Sequence, residues 1–342
     1  MKRFYIFLVG FVVVASVIGG LVFFNTVEDT KNAITFNQER VFKEITSKNT
    51  SIPIYFYPIY LKAKKDSLTI LNYDSQKVLF LDESKGVYDS LGAGRGESPL
   101  ESKRIYHYDY DDTHLYTFDV SNRSITKATR EGELINYYQD SLYLDHAHRL
   151  VDDTFLVSMR ENNFMNLGFA TVDISTEEIT FLTKVTKSFD AIDNSWWIFD
   201  GKFYQDPSDG SIFYVTFFSD EMIKIDTQGD LVYKKDLIHE TPLIKLTLQD
   251  DMLFPSADAY ESTLDCSIDD AKLYVLSNIS DRTVIENKDN RVLDVYATKN
   301  GAYSHSYILP NIGETAPTEI EVVGDLVYLL YEETIELYEL EK

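Results

Sequence analysis

Residues 211–233 read SIFYVTFFSDEMIKIDTQGDLVY. Two strand-like runs, Ser211–Phe217 and Met222–Asp226, are separated by a polar turn, and a third run, Asp230–Tyr233, follows a second turn at Gly229. Alternation of apolar and polar residues with a period of two is typical of β-strands, and Val, Ile, Tyr and Phe suit their pleated surface. The stretch therefore predicts three consecutive strands joined by short turns.

The same pattern recurs along the chain after residue 50, where no long stretch has the 3.6-residue period of a helix. Five copies are complete, and a sixth that begins at Thr334 lacks a partner strand before the sequence ends. The repeat averages about 50 residues, which is typical of propeller blades, each a four-stranded sheet around an axis. We therefore predict an all-β fold, a six-bladed β-propeller. The complete copies begin at Val78, Leu115, Phe169, Met222 and Val292.

The ring of a propeller must close, because an open blade exposes unpaired strand edges. The sixth copy lacks its outermost strand, and the segment 33–46 before the first blade has no other assignment. We predict that an N-terminal strand from this segment closes the last blade. A short juxtamembrane helix is the alternative, because Val41 and Ile45 lie four residues apart. The predicted parts of the chain are a membrane anchor or signal peptide (1–25), a juxtamembrane segment with the closing strand (26–50) and the propeller (51–342).

The N-terminus contains an uncharged run of 21 residues, Phe4–Phe24, after Lys2 and Arg3. Such a run makes about 31 Å of helix, close to the apolar thickness of a bilayer. A cleaved signal peptide has a shorter apolar region followed by small residues, whereas this run ends in bulky side chains. Lys2 and Arg3 favour a cytoplasmic N-terminus. We expect a single-pass anchor in the cell membrane and an extracytoplasmic propeller, periplasmic or on the outer face; a cleaved signal peptide is the alternative.

The charge and the cysteine content exclude several classes of protein. The chain has 32 Lys and Arg against 56 Asp and Glu, a net charge of −24, whereas a nucleic-acid interface needs a basic patch. Its one cysteine, Cys266, excludes a disulfide framework and a Cys-rich zinc module. We therefore expect no nucleic-acid partner, and no motif in the sequence indicates a cofactor.

A stretch that follows the first copy, residues 82–97, reads DESKGVYDSLGAGRGE. It resembles the NHL/TolB-like six-bladed propeller proteins of bacteria, whose first blade often ends in a GxGxGPGEF-like turn. Its three alternating glycines and Glu97 match that turn, while the proline and the closing aromatic residue are absent. The resemblance implies a six-bladed fold and export but no reaction, because most of these proteins have no assigned activity. Blade 2 departs from the pattern, since residues 97–104 leave little room for an innermost strand.

The segment Asp145-His146-Ala147-His148-Arg149 has the residue types most suited to chemistry. On the innermost strand of the third blade, alternation places His146 and His148 on one face and the two charged residues on the other. Paired imidazoles that face the channel can bind a divalent metal, but two ligands do not complete a site. Ordinary hydrogen bonding by channel-lining residues is the alternative, and the pattern leaves metal binding undecided.

Trp196 and Trp197 are adjacent and are the only tryptophans. On a strand one ring faces the core and the other faces outward, where it offers a platform for a sugar ring or a protein partner. Alternatively, both tryptophans have only a structural role, one in the core and one packed under a loop. Blades 3 and 4 are neighbours, so one ligand can contact these rings and pair an anionic group with Arg149. The alternative partners of Arg149 are Asp145, Asp152 and Asp153. The candidate ligand-binding residues are His146, His148, Arg149, Trp196 and Trp197.

We predict a binding or scaffolding module that holds a protein, peptide or glycan at the channel mouth or rim. No catalytic residue is assigned, because the sequence has no GxSxG elbow and offers too many acids to select a carboxylate pair. The alternatives are a propeller enzyme of the lactonase, lyase or glycosidase type with an axial site, and a structural subunit of an envelope complex. Function depends on the site and not on the fold.

Overall fold

The computed structural model describes most of the chain after residue 34. The predicted anchor at 1–25 and the first part of the juxtamembrane segment lie outside the described residues. Within the described residues, no helix is long and apolar enough to cross a membrane. The described ranges are 35–64, 67–82, 86–92, 94–96, 101–139, 143–161, 166–188, 195–240, 244, 246–249, 252–256, 261–278 and 290–341.

The strands of the first half begin with three that precede the blades: β1 (Thr35–Phe36), β2 (Phe42–Lys43) and β3 (Ile45–Pro53). Blade 1 contains β4 (Pro58–Lys64), β5 (Ser67–Asn72), β6 (Lys77–Asp82) and β7 (Gly86–Leu91). Blade 2 contains β8 (Ile105–Tyr110), β9 (His114–Asp119), β10 (Ser124–Thr129) and β11 (Leu134–Gln139). Blade 3 contains β12 (Tyr143–Val151), β13 (Thr154–Glu161), β14 (Asn166–Asp173) and β15 (Glu178–Phe181).

The second half begins with two helical turns, Thr183–Thr186 and Ser195–Ile198. Blade 4 contains β16 (Gly201–Gln205), β17 (Ile212–Thr216), β18 (Glu221–Ile225) and β19 (Leu231–Asp236). The link to the next blade contains β20 (His239–Glu240) and a hairpin of β21 (Leu246–Gln249) and β22 (Met252–Pro255). Blade 5 contains β23 (Thr263–Asp269), β24 (Lys272–Ser277), β25 (Val292–Ala297) and β26 (Tyr303–Ile308). Blade 6 contains β27 (Glu319–Val323), β28 (Leu326–Leu330) and β29 (Thr334–Leu340).

The described strands confirm the all-β, six-bladed propeller. Each blade is an antiparallel sheet, and the sheets follow one another along the chain. Six hydrophobic clusters hold the ring together, each between two successive blades. One of them joins blade 6 to blade 1, where Leu330 and Ile335 pack with Leu61 and Ile70. The middle strands of most blades are buried on both faces for this reason, as in β6 and β24.

An N-terminal strand closes the last blade, but it is β3, which shares only Ile45 and Thr46 with the predicted segment 33–46. β3 runs antiparallel to β29, with Ile52 opposite Ile335. The preceding residues lie elsewhere and are not helical: β1 pairs with β20, and β2 pairs in parallel with β26. Arg40 explains this path, because its buried guanidinium forms a 2.7 Å ion pair with Asp294 of blade 5. The ion pair fixes the segment around residue 40 along blade 5, so the closing strand begins only at Ile45.

The expectation that blade 2 lacks room for an innermost strand was wrong. β8 spans Ile105–Tyr110 and pairs with β9. The repeat pattern makes the run Arg104–Tyr108 the second strand of this blade. In the structure that run belongs to the innermost strand, and Leu134–Gln139 forms the outermost one. The long link before β8 crosses the glycine-rich turn, where Gly92 and Gly94 have positive φ angles of 99° and 96°.

Candidate functional site: two cavities on the propeller axis

The innermost strands of the six blades line an axial channel that widens at both ends. A cavity of about 810 Å³ lies at the end where these strands begin, and we call it the wide cavity. A cavity of about 270 Å³ lies at the end where they finish, and we call it the narrow cavity. Lys202 of β16 and Asp265 of β23 line both cavities and so form the waist between them.

The waist is an ion pair held in place by hydrogen bonds. The Lys202 Nζ lies 3.1 Å from the Asp265 Oδ1, and the two side chains are 16% and 4% exposed. Asp265 also accepts hydrogen bonds from the Tyr204 hydroxyl at 3.0 Å and the Ile320 N–H at 3.1 Å. Burial opposes the charge on Lys202, but the attraction of Asp265 and Glu319 outweighs it and raises the pKa of Lys202. Lys202 therefore stays charged although it is largely buried.

Two glutamates of β27 face the channel on opposite sides of the waist. Glu319 lines the wide cavity and accepts hydrogen bonds from the Tyr60 N–H at 2.8 Å and the Leu61 N–H at 2.6 Å. Glu321, two residues further along, lines the narrow cavity. Burial, assisted by the charge of Asp265, raises the pKa of Glu319 to about 7 and the pKa of Glu321 to about 8. Burial therefore favours the protonated form of Glu321.

The polar wall of the wide cavity consists of paired groups from blades 3 and 4. The Arg160 Nη2 lies 2.7 Å from the Asp145 Oδ1, and the His146 Nε2 lies 2.9 Å from the Asp200 Oδ1. Glu261 completes this wall, and its pKa is raised by burial and by the negative charge of Asp200. The wall thus combines an ion pair, an oriented imidazole and a carboxylate that holds its proton more tightly than usual.

Aromatic rings form the remaining walls of the wide cavity. The Tyr106 ring lies 4.9 Å from the His146 ring and 5.6 Å from the Tyr60 ring, centroid to centroid. Tyr57 lines the mouth, and Tyr55, two residues before it, is 90% exposed. The other aromatic lining residues are Trp197, Phe217, Phe218 and Tyr331.

The structure divides the predicted site residues between the two cavities. Asp145, His146 and Trp197 line the wide cavity, whereas His148 and Arg149 line the narrow one. The two imidazoles of the predicted pair therefore do not converge on one point. Among the described residues, no group of three or more His, Cys, Asp or Glu side chains is arranged to hold a metal ion.

Asp145 corrects the simple alternation expected along β12. The pairing register shifts between Leu144 and His146, so Asp145 is the extra residue of a β-bulge. A bulge re-aims the side chains around it, which explains why Asp145 and His146 line the same cavity. The sequence pattern alone placed them on opposite faces.

Arg149 has acidic partners, but not the ones that the sequence suggested. Its guanidinium lies 3.2 Å from Asp109 and 3.1 Å from Asp111, and it stacks 3.8 Å from the centre of the Tyr116 ring. From Asp152 it contacts only the backbone oxygen, at 3.0 Å. Arg149 therefore joins blade 3 to blade 2 beside the narrow cavity.

The tryptophan pair lies in the helical turn Ser195–Ile198 and not on a strand, which corrects the prediction. The turn precedes Gly201, where any side chain would clash with the backbone of Val215, so the chain must pass close to β17. Trp197 lies 6.1 Å from Phe254, centroid to centroid, while the Trp196 side chain is outside the described residues.

Sequence analysis missed five residues that line the channel at the waist and on both sides of it. For three of them the signal was present in two strands. Lys202 stands alone among apolar neighbours in GKFYQ, and two acids flank an isoleucine in EIEVV. A charged residue at every second position of an innermost strand indicates an axial position. The five are Lys62, His107, Lys202, Glu319 and Glu321.

The comparisons with known proteins agree on the fold. No protein-family model and no curated protein matches the sequence. A protein of Bacteroides fragilis named as exported has a TM-score of 0.54 at 12% identity, covering 91% of this chain and 95% of that one. A member of the DUF4221 family from Bacteroides vulgatus has a TM-score of 0.52 at 8% identity, covering 91% of this chain and 98% of that one.

An enzyme is also among the proteins of similar fold. Virginiamycin B lyase from Staphylococcus aureus has a TM-score of 0.52 at 11% identity, covering 90% of this chain and 99% of that one. Identities this low show the fold alone. The chain is therefore similar to bacterial β-propeller proteins, as the resemblance to the NHL/TolB-like group implied.

Proposed function

We propose that this chain is an exported, membrane-anchored binding module that holds a protein, peptide or glycan at the mouth of the wide cavity. The observation that carries the proposal is the combination of aromatic walls and oriented polar groups in one open cavity of about 810 Å³. Cavities of this size that place a few polar groups among apolar walls are the usual form of binding sites.

The chemistry of the walls suits a ligand with flat apolar faces and polar edges. Tyr57 and Trp197 offer ring faces on which a sugar ring or a peptide side chain can stack. Asp200 and Glu261 accept hydrogen bonds, and Arg104 at the rim donates them. Both properties occur in glycans and in extended peptides.

Two observations support an extracytoplasmic location. The run Phe4–Phe24 has the length of a membrane anchor and follows two basic residues. The Bacteroides fragilis protein of similar fold is named as exported. A propeller fixed to the outer side of a membrane can present its wide cavity to partners in that compartment.

Binding can be tested with the full chain in detergent on arrays of peptides and glycans. We expect at least one class of probe to bind. Replacing Trp197 or Tyr57 by Ala should weaken that binding by roughly 5- to 150-fold, the range of about 1–3 kcal/mol found for aromatic contacts at binding hot spots. Tyr57→Ala should leave the melting temperature nearly unchanged, because Tyr57 is 59% exposed. Trp197→Ala should lower it, because Trp197 also packs against the hydrophobic cluster between blades 3 and 4.

Phe181→Ala is the matched control. Phe181 is 51% exposed on the outermost strand of blade 3, outside the cavity lining. Its replacement removes an exposed aromatic ring without touching the proposed site, so affinity should stay unchanged. Failure of every probe class to bind, or equal binding by all three variants, would contradict the proposed function.

The His146–Asp200 pair favours a second candidate function, that of an enzyme. An imidazole held by a carboxylate at 2.9 Å is the arrangement of a general base. A ligand found by the arrays should then be converted by the wild type and bound without conversion by His146→Asn. Recovery of that ligand unchanged after prolonged incubation with the wild type would exclude this candidate and leave the binding module.

A further inference from the structure

The lining of the wide cavity has an excess of acidic side chains. It contains six carboxyl groups and three basic side chains. Two of the basic side chains are neutralised within the lining. Arg160 contacts both carboxylate oxygens of Asp145, and Lys202 pairs with Asp265 at the waist. The groups that remain are one cation, Arg104, and four acids, Asp200, Glu261, Glu319 and Glu332.

This excess does not depend on how Glu319 and His146 are protonated. Glu319 accepts two backbone N–H groups of blade 1, and His146 lies beside Asp200. In the least favourable case Glu319 is neutral and His146 carries a proton. Three carboxylates then face two cations, and one negative charge is still left over. The cavity therefore attracts positive charge in either state of these two groups.

The remaining acids lie mainly on one side of the ring. Asp200 and Glu261 stand just before the innermost strands of the neighbouring blades 4 and 5, whereas Arg104 stands before that of blade 2, opposite blade 5 in a ring of six. Burial raises the pKa of Glu261, and the negative charge of Asp200 raises it further, by more than the positive charge of Arg291 lowers it. The two acids thus repel each other, and a positive group beside them would relieve this repulsion.

The aromatic walls of the same cavity also suit a cation. Lys202 lies 4.8 Å from the centre of the Tyr60 ring, and Arg104 lies 5.8 Å from the centre of the Tyr106 ring. Tyr57 at the mouth is 59% exposed, so a guest can reach its ring. The attraction between a cation and a ring face adds to that of the carboxylates, and a guanidinium group can stack on the ring as well.

We infer that the wide cavity recognises a basic side chain of a peptide or protein partner, an Arg or Lys that enters beside Asp200 and Glu261. The inference rests on the function proposed above and narrows its ligand class to polypeptides. Neutral glycans have no positive charge to place beside these acids, and acidic glycans are repelled by them. The volume of about 810 Å³ leaves room for the residues on either side of the basic one.

A metal ion is the competing cation. It needs several ligands that converge on one point. Within the part of the chain that the structure describes, no three His, Cys, Asp or Glu side chains are arranged in this way. The acids are instead distributed over the walls of a wide, partly aromatic cavity, which suits an extended organic cation.

The inference can be tested by calorimetric titration of the full chain in detergent with blocked peptides that differ in one residue. That residue is Arg in the first peptide, citrulline, which has the shape of Arg without its charge, in the second, and Glu in the third. We expect the wild type to bind the Arg peptide about tenfold or more tightly than the citrulline peptide, the effect of a hydrogen bond to a charged group. The Glu peptide should bind most weakly.

Glu261→Gln tests the position of the basic side chain. It should weaken binding of the Arg peptide by about fivefold or more and leave the citrulline peptide unaffected, because the amide keeps the shape of the side chain but not its charge. Unchanged affinity for the citrulline peptide also shows that the variant is folded. Glu314→Gln is the matched control, since Glu314 is an exposed acid in the link before blade 6, outside the cavity lining. It should leave both affinities unchanged.

The outcomes separate this inference from the function on which it rests. Equal affinity of the wild type for the Arg and citrulline peptides would overturn the inference but leave a binding module, and so would tighter binding of a glycan probe than of the Arg peptide. Ethylguanidine has the charged group without a peptide, and tighter binding of this compound would overturn the assignment to polypeptides. Failure of every probe to bind would contradict the proposed function and the inference with it.

Discussion

The two ends of the axial channel are built on the same six strands, yet their linings differ in the balance of charge. The lining of the wide cavity contains six carboxyl groups and three basic side chains among aromatic rings. The lining of the narrow cavity contains three of each, together with two imidazoles. Residues only two positions apart on one strand can line different cavities: Glu319 of β27 lines the wide cavity, and Glu321 lines the narrow one. The axis of this propeller thus contains two cavities separated by the Lys202–Asp265 waist.

Breaking the waist should have the largest effect. Lys202→Met leaves Asp265 buried without its counter-charge beside Glu319, and loss of one partner of a buried pair costs about 3–5 kcal/mol. We expect the free energy of unfolding, measured by urea denaturation, to fall by that amount. The exposed pair of Lys184 and Asp230 is the control, since its side chains are 71% and 57% exposed. Lys184→Met should leave the free energy of unfolding nearly unchanged, because the pair is screened by solvent.

The double variant Lys202→Met/Asp265→Asn sharpens this test. Removing both charges eliminates the unpaired carboxylate, so part of the lost stability should return. Equal losses in the single and the double variant would show that the pair is not what stabilises the waist.

The two glutamates should differ in how stability depends on pH. Burial raises the pKa of Glu321 from its ordinary value of 4.5 to about 8. Between these values the folded state retains a proton that the unfolded state has released, so this contribution is fully present below pH 4.5 and is lost as the pH rises through 8. Glu321→Gln replaces the titrating group by a neutral amide, so the variant does not lose this contribution as the pH rises. We expect the variant to gain on the order of 1–3 kcal/mol over the wild type between pH 5 and pH 9.

Glu319→Gln is the companion measurement from the wide cavity. The pKa of Glu319 is raised to about 7, so its contribution should be lost at a lower pH than that of Glu321. Urea denaturation at pH 5, 7 and 9 separates the two curves. Parallel curves for the wild type and Glu321→Gln across this range would show that the carboxyl group at the narrow end is not buried as described.

The sequence predicted the blades well, because strand alternation and turn residues are local signals. Met222–Asp226 and its repeats form middle strands of their blades. The requirement that the ring close also predicted an N-terminal strand in the last blade, and the structure has one. The identity of that strand depended on the Arg40–Asp294 ion pair, which joins residues 254 positions apart. No local pattern reveals such a contact.

The sites were predicted less completely, for a related reason. The sequence drew attention to His146 and His148, but the position of each residue along the axis decides which cavity it lines. The bulge at Asp145 also changes the direction in which the neighbouring side chains point. Lys202 and Glu319 carried a recognisable signal, a charge inside an otherwise apolar strand. The aromatic pair was misassigned to a strand because the helical turn is only four residues long.

The smallest expected effect distinguishes the two mouths of the channel. Tyr55, beside the wide mouth, is 90% exposed, and Val151, at the end of β12 near the narrow cavity, is 62% exposed. Replacing either by Ala should change the free energy of unfolding by less than about 0.5 kcal/mol, because neither side chain is packed in the core. A stacked ring contributes about 0.5–1.5 kcal/mol to an aromatic contact, so Tyr55→Ala should weaken binding of a wide-cavity ligand by roughly 2- to 12-fold. Val151→Ala should leave that affinity unchanged, as measured by calorimetry. The opposite result, with Val151→Ala weakening binding and Tyr55→Ala having no effect, would place the ligand at the narrow end.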